Sequence, residues 1–196
     1  MLYITRLLAT ILIPALMQMG LVSLVSTSPE AAVTDFLEGL KTGETHVMEK
    51  HMDNQYVNFL VNVQGDEEVV AAMNEALFQN FSYDVEKVLE KNQVAVARVV
   101  IQSNDFSKVK AGYDTASYDY IVDNLYSDSI ADKKALNAKC LELYVQQIQK
   151  AAEKEPSQET IVFIPLVNDG YYGWNVAVSD ELMKAILGNL EIPTGS

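Results

Sequence analysis

Apolar and polar residues change their spacing several times along this chain, and each change predicts an element. A continuous apolar run from Leu7 to Val25 comes first, with Arg6 ahead of it and Pro14 inside it. Directly behind it, Ser28 reads as an N-cap and Pro29 as a first helical residue, where its missing N–H costs nothing. Val33, Phe36, Leu37 and Leu40 then recur at helical spacing up to Gly43, a stop signal. A second helix is predicted from about Glu44 to Asn62, with Val47, Met48, His51, Met52, Phe59 and Leu60 on one broad face. After Gly65, the acidic Asp66, Glu67 and Glu68 open a third helix, where the macrodipole favours negative charge, and Val69, Val70, Met73 and Leu77 supply its stripe.

At Phe81 the helical period gives way to alternation. Phe81, Tyr83 and Val85 alternate with Ser82, Asp84 and Glu86 to about Leu89, Lys91-Asn92-Gln93 makes a turn, and Val94 to Ile101 follows as a nearly continuous apolar strand. Ala95 and Ala97 leave space on one side of that strand for a helix. From Phe106 to about Gln158 the strand pattern is absent: a tyrosine-rich segment is followed by a longer helix carrying Leu136, Cys140, Leu143, Tyr144, Gln147 and Ile148. Strand character returns at Thr160–Val167 and Tyr171–Val178, joined by Asn168-Asp169-Gly170, a hairpin signal. Ser179 caps a last helix with Leu182, Met183, Ile186, Leu187 and Leu190 facing inward.

The fold class expected is therefore α+β: N-terminal helices packed on a curved antiparallel sheet of about four strands, a helical insertion (about 106–158) between two hairpins, and a C-terminal helix. No repeat or linker divides residues 29–196, so they are read as one domain, long enough to bury its own core. Residues 1–28 have the order of a signal peptide, with Ser23 or Ser26 as the small residue before a cut. The alternative is an uncleaved membrane anchor, since the apolar run approaches the roughly 20 residues that span a bilayer. Either way the domain is expected to be secreted or at the extracellular face of the cell membrane. The single cysteine, Cys140, lies too far downstream for lipid attachment at the leader and cannot form an internal disulfide.

Composition narrows the partners. The net charge is −13 and becomes −14 without Arg6, which excludes nucleic acid, a ligand that demands a clustered positive field. It also disfavours an anionic lipid surface, leaving membrane contact only to an uncleaved N-terminal segment. His46 and His51 are five apart and diverge by about 140° on a helix, unlike the four-residue spacing of a zinc protease. A surface pair of His46 with Glu49 and a packed His51 are expected instead. Asp119, Asp123, Asp128 and Asp132 lack the alternation and glycine of a calcium loop and read as a solvated helix face. No metal and no cofactor are expected.

The stretch Ser28-Pro29-Glu30-Ala31-Ala32-Val33-Thr34-Asp35-Phe36-Leu37-Glu38-Gly39-Leu40-Lys41-Thr42-Gly43-Glu44 resembles the first helix of small exported bacterial domains of the cystatin-like cone fold, the superfamily of nuclear transport factor 2 and ketosteroid isomerase. Phe81-Ser82-Tyr83, the strand ending in Asn104-Asp105-Phe106, and Asp169-Gly170 leading to Trp174 are similar to its uncharacterised lipoprotein-like branch in Gram-positive bacteria. Two departures are the missing lipobox cysteine and the long insertion. The resemblance implies a sheet wrapped around a long helix, with a conical cavity that hosts enzymes in some branches and protein contacts in others.

An enzyme of that kind needs a carboxylate base and an acidic donor in an apolar pocket. Asp105 with Tyr56 or Tyr83, Arg98 to orient an anion, and Trp174 make the candidate cavity, although nothing in their spacing requires catalysis and no catalytic residue is assigned. Tyr113, Tyr118, Tyr171 and Tyr172 make a candidate aromatic interaction surface. The expected function is a non-catalytic binding or interaction module of the cell envelope, with an unknown protein or a small apolar ligand as partner. The alternative is a small-molecule carrier or isomerase-like enzyme using the cavity.

Overall fold

The structure, a computed structural model, describes residues 28–192 other than 64, 155, 157 and 172, so the leader and Tyr172 lie outside the described residues. Helix α1 (Pro29–Thr42) begins where Ser28 Oγ accepts the Ala31 N–H at 3.1 Å and ends at Gly43, whose φ of 73° suits a residue without Cβ. It buries Val33, Phe36, Leu37 and Leu40. The single helix expected over 44–62 is instead two, α2 (Thr45–His51) and α3 (Asn54–Leu60), broken by extended backbone at Met52 and Asp53. Asp53 and Asn54 favour caps and turns over helix interiors, while Met48, Met52, Tyr56, Phe59 and Leu60 all stay buried. The apolar period runs straight through the break, so spacing alone does not reveal it. Helix α4 (Glu67–Phe78) starts where the Asp66 carboxylate accepts the Glu68 N–H at 2.9 Å.

Strands β1 (Ser82–Lys91) and β2 (Val94–Ser103) form the first hairpin, turning at Asn92, which has positive φ. The insertion holds α5 (Val109–Asp123), α6 (Asp128–Ala131) and α7 (Lys133–Ala152), and α7 packs on both α4 and α5. Asp132 caps α7 by accepting the Lys134 N–H at 2.8 Å, which gives one of the four acidic residues a structural role. Strand β3 (Gln158–Asn168) and strand β4 (Trp174–Val176) follow, then α8 (Asp180–Ile186), capped by Ser179 Oγ. The sheet order is β1-β2-β3-β4, antiparallel throughout, which makes the fold α+β.

The last strand is shorter than its apolar pattern. Gly170 and Gly173 both take positive φ and the Asp169 N–H reaches Gly173 O at 3.3 Å, so the connection is a wider loop than a two-residue turn and pairing begins only at Trp174.

Alternation sorts the sheet into two faces. The inner face carries Ala95, Ala97, Val99 and Ile101 of β2, Val162, Ile164 and Leu166 of β3, and Trp174 and Val176 of β4, all buried. Helix α1 lies against β1, β2 and β4, and α8 against β2 and β3. Each fully buried aliphatic side chain contributes about 1.5–3 kcal/mol, so this interface is the principal source of stability.

The chain leaves α8 through Gly188, whose φ is 52°. Its carbonyl accepts the Phe106 N–H at 2.8 Å, and a Cβ at this position would overlap the Asn104 carbonyl oxygen. Ser103 Oγ donates to Ala185 O at 3.0 Å beside it, tying the end of β2 to the end of α8. Gly188→Ala should therefore destabilise the fold by about 2 kcal/mol or more, through strained backbone and a forced shift of the Asn104 segment. A urea unfolding midpoint that falls accordingly is the expected result.

Candidate functional site

Among the described residues, no hydrogen bond or ion pair joins any two of the five candidate cavity residues. Tyr56, buried in α3, donates its O–H to Asp180 Oδ1 at 2.9 Å, bonding α3 to the start of α8. Burial, and then the Asp180 carboxylate, push its pKa up to about 12. Tyr83 sits on the inner side of β1 and donates to Glu38 Oε1 at 2.8 Å. Burial first, and Glu38 second, hold its hydroxyl protonated well above the ordinary tyrosine range. Both donors are thus spent on carboxylates within the fold. Trp174 is 4% exposed on the inner face. Arg98 points from the opposite face, ion-paired with Glu86.

Asp105 lies just past β2, where its Oδ1 accepts the Ser107 N–H at 3.0 Å. The Ser107 hydroxyl first, and its N–H second, lower the Asp105 pKa, with Lys108 and Lys154 adding to it. A cleft of about 420 Å³ opens here between the start of α5 and the end of α7, lined by Asn104, Asp105, Lys108, Gln147, Lys150 and Lys154. Asn104 Nδ2 closes the end of α7 by donating to Ala151 O at 3.2 Å and Lys154 O at 2.7 Å. Lys150 and Lys154 sit where a helix C-terminus attracts cations. The cleft is a helix terminus satisfied by polar side chains. Val109 and Ala151 complete its lining, which is mixed, with four of its eight side chains charged. Asp105→Asn keeps an oxygen for Ser107 and should cost less than about 1 kcal/mol at neutral pH. The wild type has the charged-form advantage above the ordinary carboxyl range and loses it as pH falls, so the two unfolding midpoints should converge in acid.

The aromatic candidates are also spread out. Tyr113 is half-buried and edge-on to Tyr144 at 5.5 Å, and burial first, then Cys140, push its pKa up to about 12. Tyr118 is exposed on α5 beside Ile121, Val122, Leu125 and Tyr126, and Tyr171 is exposed in the β3–β4 loop.

Among the described residues no group of three side chains could hold a metal. His46 pairs with Glu44 at 3.4 Å and not with Glu49, because Glu44 stands at the N-terminus of α2 beside it. His51 packs edge-on against Phe36 at 5.6 Å. Burial, then Lys50, lower its pKa from 6.5 to about 4. The unfolded chain therefore binds a proton between those values that the folded one does not, and stability falls as pH drops from about 6.5 to about 4. In His51→Gln the urea midpoint should depend less steeply on pH across that window.

The largest feature absent from these expectations is the outer face of the sheet. The register places Leu89 beside Val96 and Pro165, Val94 beside Val167, Arg98 beside Phe163, and Val100 beside Ile161. Phe163 is 65% exposed, Leu89 61% and Ile161 49%, with Val94, Val96 and Val167 also exposed. No described helix packs there, since α1 and α8 both take the inner side. The sequence signal existed: strands apolar at nearly every position are strands meant for cover on both faces.

No family model and no curated protein matches the chain. Among solved structures, a candidate lipoprotein, YcdA, from Bacillus subtilis is similar, with 15% identity and a TM-score of 0.44. The match covers 83% of this chain and 47% of that one, so the chain spans about half the length of that protein. Among the described residues no helix is long and apolar enough to cross a membrane.

Proposed function

We propose that this protein is an exported, non-catalytic interaction module of the cell envelope that docks a protein surface through the outer face of its sheet. The carrying observation is that Leu89, Val94, Val96, Ile161, Phe163 and Val167 share one uncovered face. A contiguous exposed apolar patch of this kind marks a contact site in soluble proteins. Export rests on the signal-like order of residues 1–28.

The carrier or isomerase-like alternative needs an open concavity on the inner face. That face is occupied by the side chains of α1 and α8, with Ala97, Val99, Ile101 and Ile164 inaccessible to solvent. The two hydroxyls such an enzyme would use, on Tyr56 and Tyr83, are bonded to Asp180 and Glu38. Arg98, which would orient an anion, stands on the other face beside Phe163, ion-paired with Glu86.

Site-specific photo-crosslinking in producing cells tests the reading. A photoreactive phenylalanine at position 163 or 96 should give an adduct of one defined mass, lost when Val167→Asp is added on the same face. The same probe at Glu142, on α7, should give none. Equal or absent labelling at all three positions would overturn it.

A further inference from the structure

We infer that this chain forms a symmetric dimer by strand addition, the open edge of β3 pairing antiparallel with the same edge of a second copy. The inference is separate from the docking role of the outer face, because it rests on backbone groups at the edge of the sheet. Strand β3 runs from Gln158 to Asn168, but β4 pairs only with Leu166, Val167 and Asn168. Two bonds show which way each β3 residue turns its backbone. Asn168 N donates to Gln93 O at 2.9 Å, so the even-numbered residues of β3 bond to β2. Ala177 N donates to Pro165 O at 2.9 Å, so the odd-numbered residues face the β4 side. Beyond Pro165 that side is bare. Among the described residues, no hydrogen bond reaches the backbone N–H or C=O of Phe163, Ile161 or Glu159 from this side, and all three residues are exposed.

Such an edge fits an extended strand, and its own sequence points to an identical one. Thr160-Ile161-Val162-Phe163-Ile164 is uncharged and every residue in it is β-branched or aromatic, the kind of segment that pairs with copies of itself. The open residues are also symmetric about Ile161. A two-fold axis through Ile161, perpendicular to the sheet, sets Ile161 against the partner's Ile161 and Phe163 against the partner's Glu159, each pair exchanging two backbone bonds. Thr160 and the partner's Val162 meet between them. No like charges stand opposite in this register, whereas one centred on Glu159 would oppose two carboxylates. Pro165 has no N–H to add and its carbonyl is already taken, which ends the pairing on one side. At the other end Asn104 holds Lys154 O, so the chain enters β3 from the β2 side, away from the partner.

The pairing closes at two. The joined sheet presents β1 at both of its outer edges, where charges and a bulge resist a further strand. The contact is about five residues, or about 16 Å, long, so it buries far less than the roughly 1,200 Å² of a standard stable interface. Each copy carries −13. The dimer is therefore weak and concentration-dependent, and salt tightens it by screening the repulsion.

Sedimentation equilibrium on full-length protein, purified from an export-competent host, reads this directly. The wild type should pass from monomer to dimer with rising concentration, more readily in about 0.5 M than in about 0.05 M salt. Ile161→Lys and Ile161→Glu each set like charges opposite one another and should stay monomeric with unchanged circular dichroism. Mixed one to one they should dimerise, since position 161 meets itself only across the axis. In a Cys140→Ser background, Ile161→Cys should form an intermolecular disulfide on mild oxidation, because opposed Cα atoms in a bonded pair lie about 5.5 Å apart. Phe163→Cys, which faces the partner's Glu159, should form far less. A wild type monomeric up to about 1 mM, a mixture that stays monomeric, or equal coupling at 161 and 163 would overturn the inference. So would a photoreactive residue at position 161 that captures a different protein in producing cells in place of a second copy. Crosslinking from position 96 reads the outer face alone, so these failures leave the docking role standing.

Discussion

The packing of two helices from opposite ends of the chain onto one face of a four-stranded sheet is the constraint on which the rest depends. Helix α1 comes from the start of the described chain and α8 from its end, and both use the inner face. Ala95 and Ala97 on β2 are small enough for helices to lie close, while Phe36, Leu37, Leu182 and Ile186 supply the bulk. Once both helices are committed there, the remaining geometry follows. Ser103 and Gly188 must bring the ends of β2 and α8 together, and Tyr56 and Tyr83 become ties between layers through Asp180 and Glu38. These hydroxyls act as mechanical links. A buried tyrosine bonded to a carboxylate is worth most when protonated, and burial keeps it so.

The same commitment explains the other face. The three helices of the insertion could have covered it, but α7 packs on α4, joined to it by Gln79 and Asn80 at Ala152 O, and α5 and α6 pack on α7. The insertion therefore extends the helical layer and leaves β2 and β3 with an apolar outer side. A strand pair that is apolar on both sides but covered on one is incomplete as a monomer in water.

Element types and most boundaries were legible in the sequence because caps and turns were written in ordinary chemistry: Ser28 and Ser179 cap as their side chains predict, Asp66 stands at the helix start its charge favours, and Asn92 turns the first hairpin. The break at Met52-Asp53 was not legible, since Met48, Met52 and Tyr56 keep helical spacing across it. The site was less legible for a related reason. Tyr56, Tyr83, Arg98, Asp105 and Trp174 were grouped by residue chemistry, whereas their positions depend on strand register. Alternation puts Arg98 on the face opposite Trp174, and no feature of either residue type announces it. The outer face was written plainly in the apolar run of β2, but which side the helices would choose is a tertiary fact.

Sheets offer partners edges as well as faces, and here the β1 edge is defended. Strand β1 presents Asp84, Glu86, Lys87, Glu90 and Lys91 and carries a bulge between Val85 and Lys87. Charges and bulges are the devices by which edge strands avoid pairing with other chains. The face differs, because Leu89, Val94, Val96, Ile161, Phe163 and Val167 are exposed on it around the Glu86–Arg98 ion pair. A molecule that blocks strand addition at β1 while exposing Phe163 and Leu89 offers a partner stacked side chains on this side in place of shared backbone bonds. Stacking has the further property of self-limitation: a covered face is used up, whereas an augmented edge creates another edge.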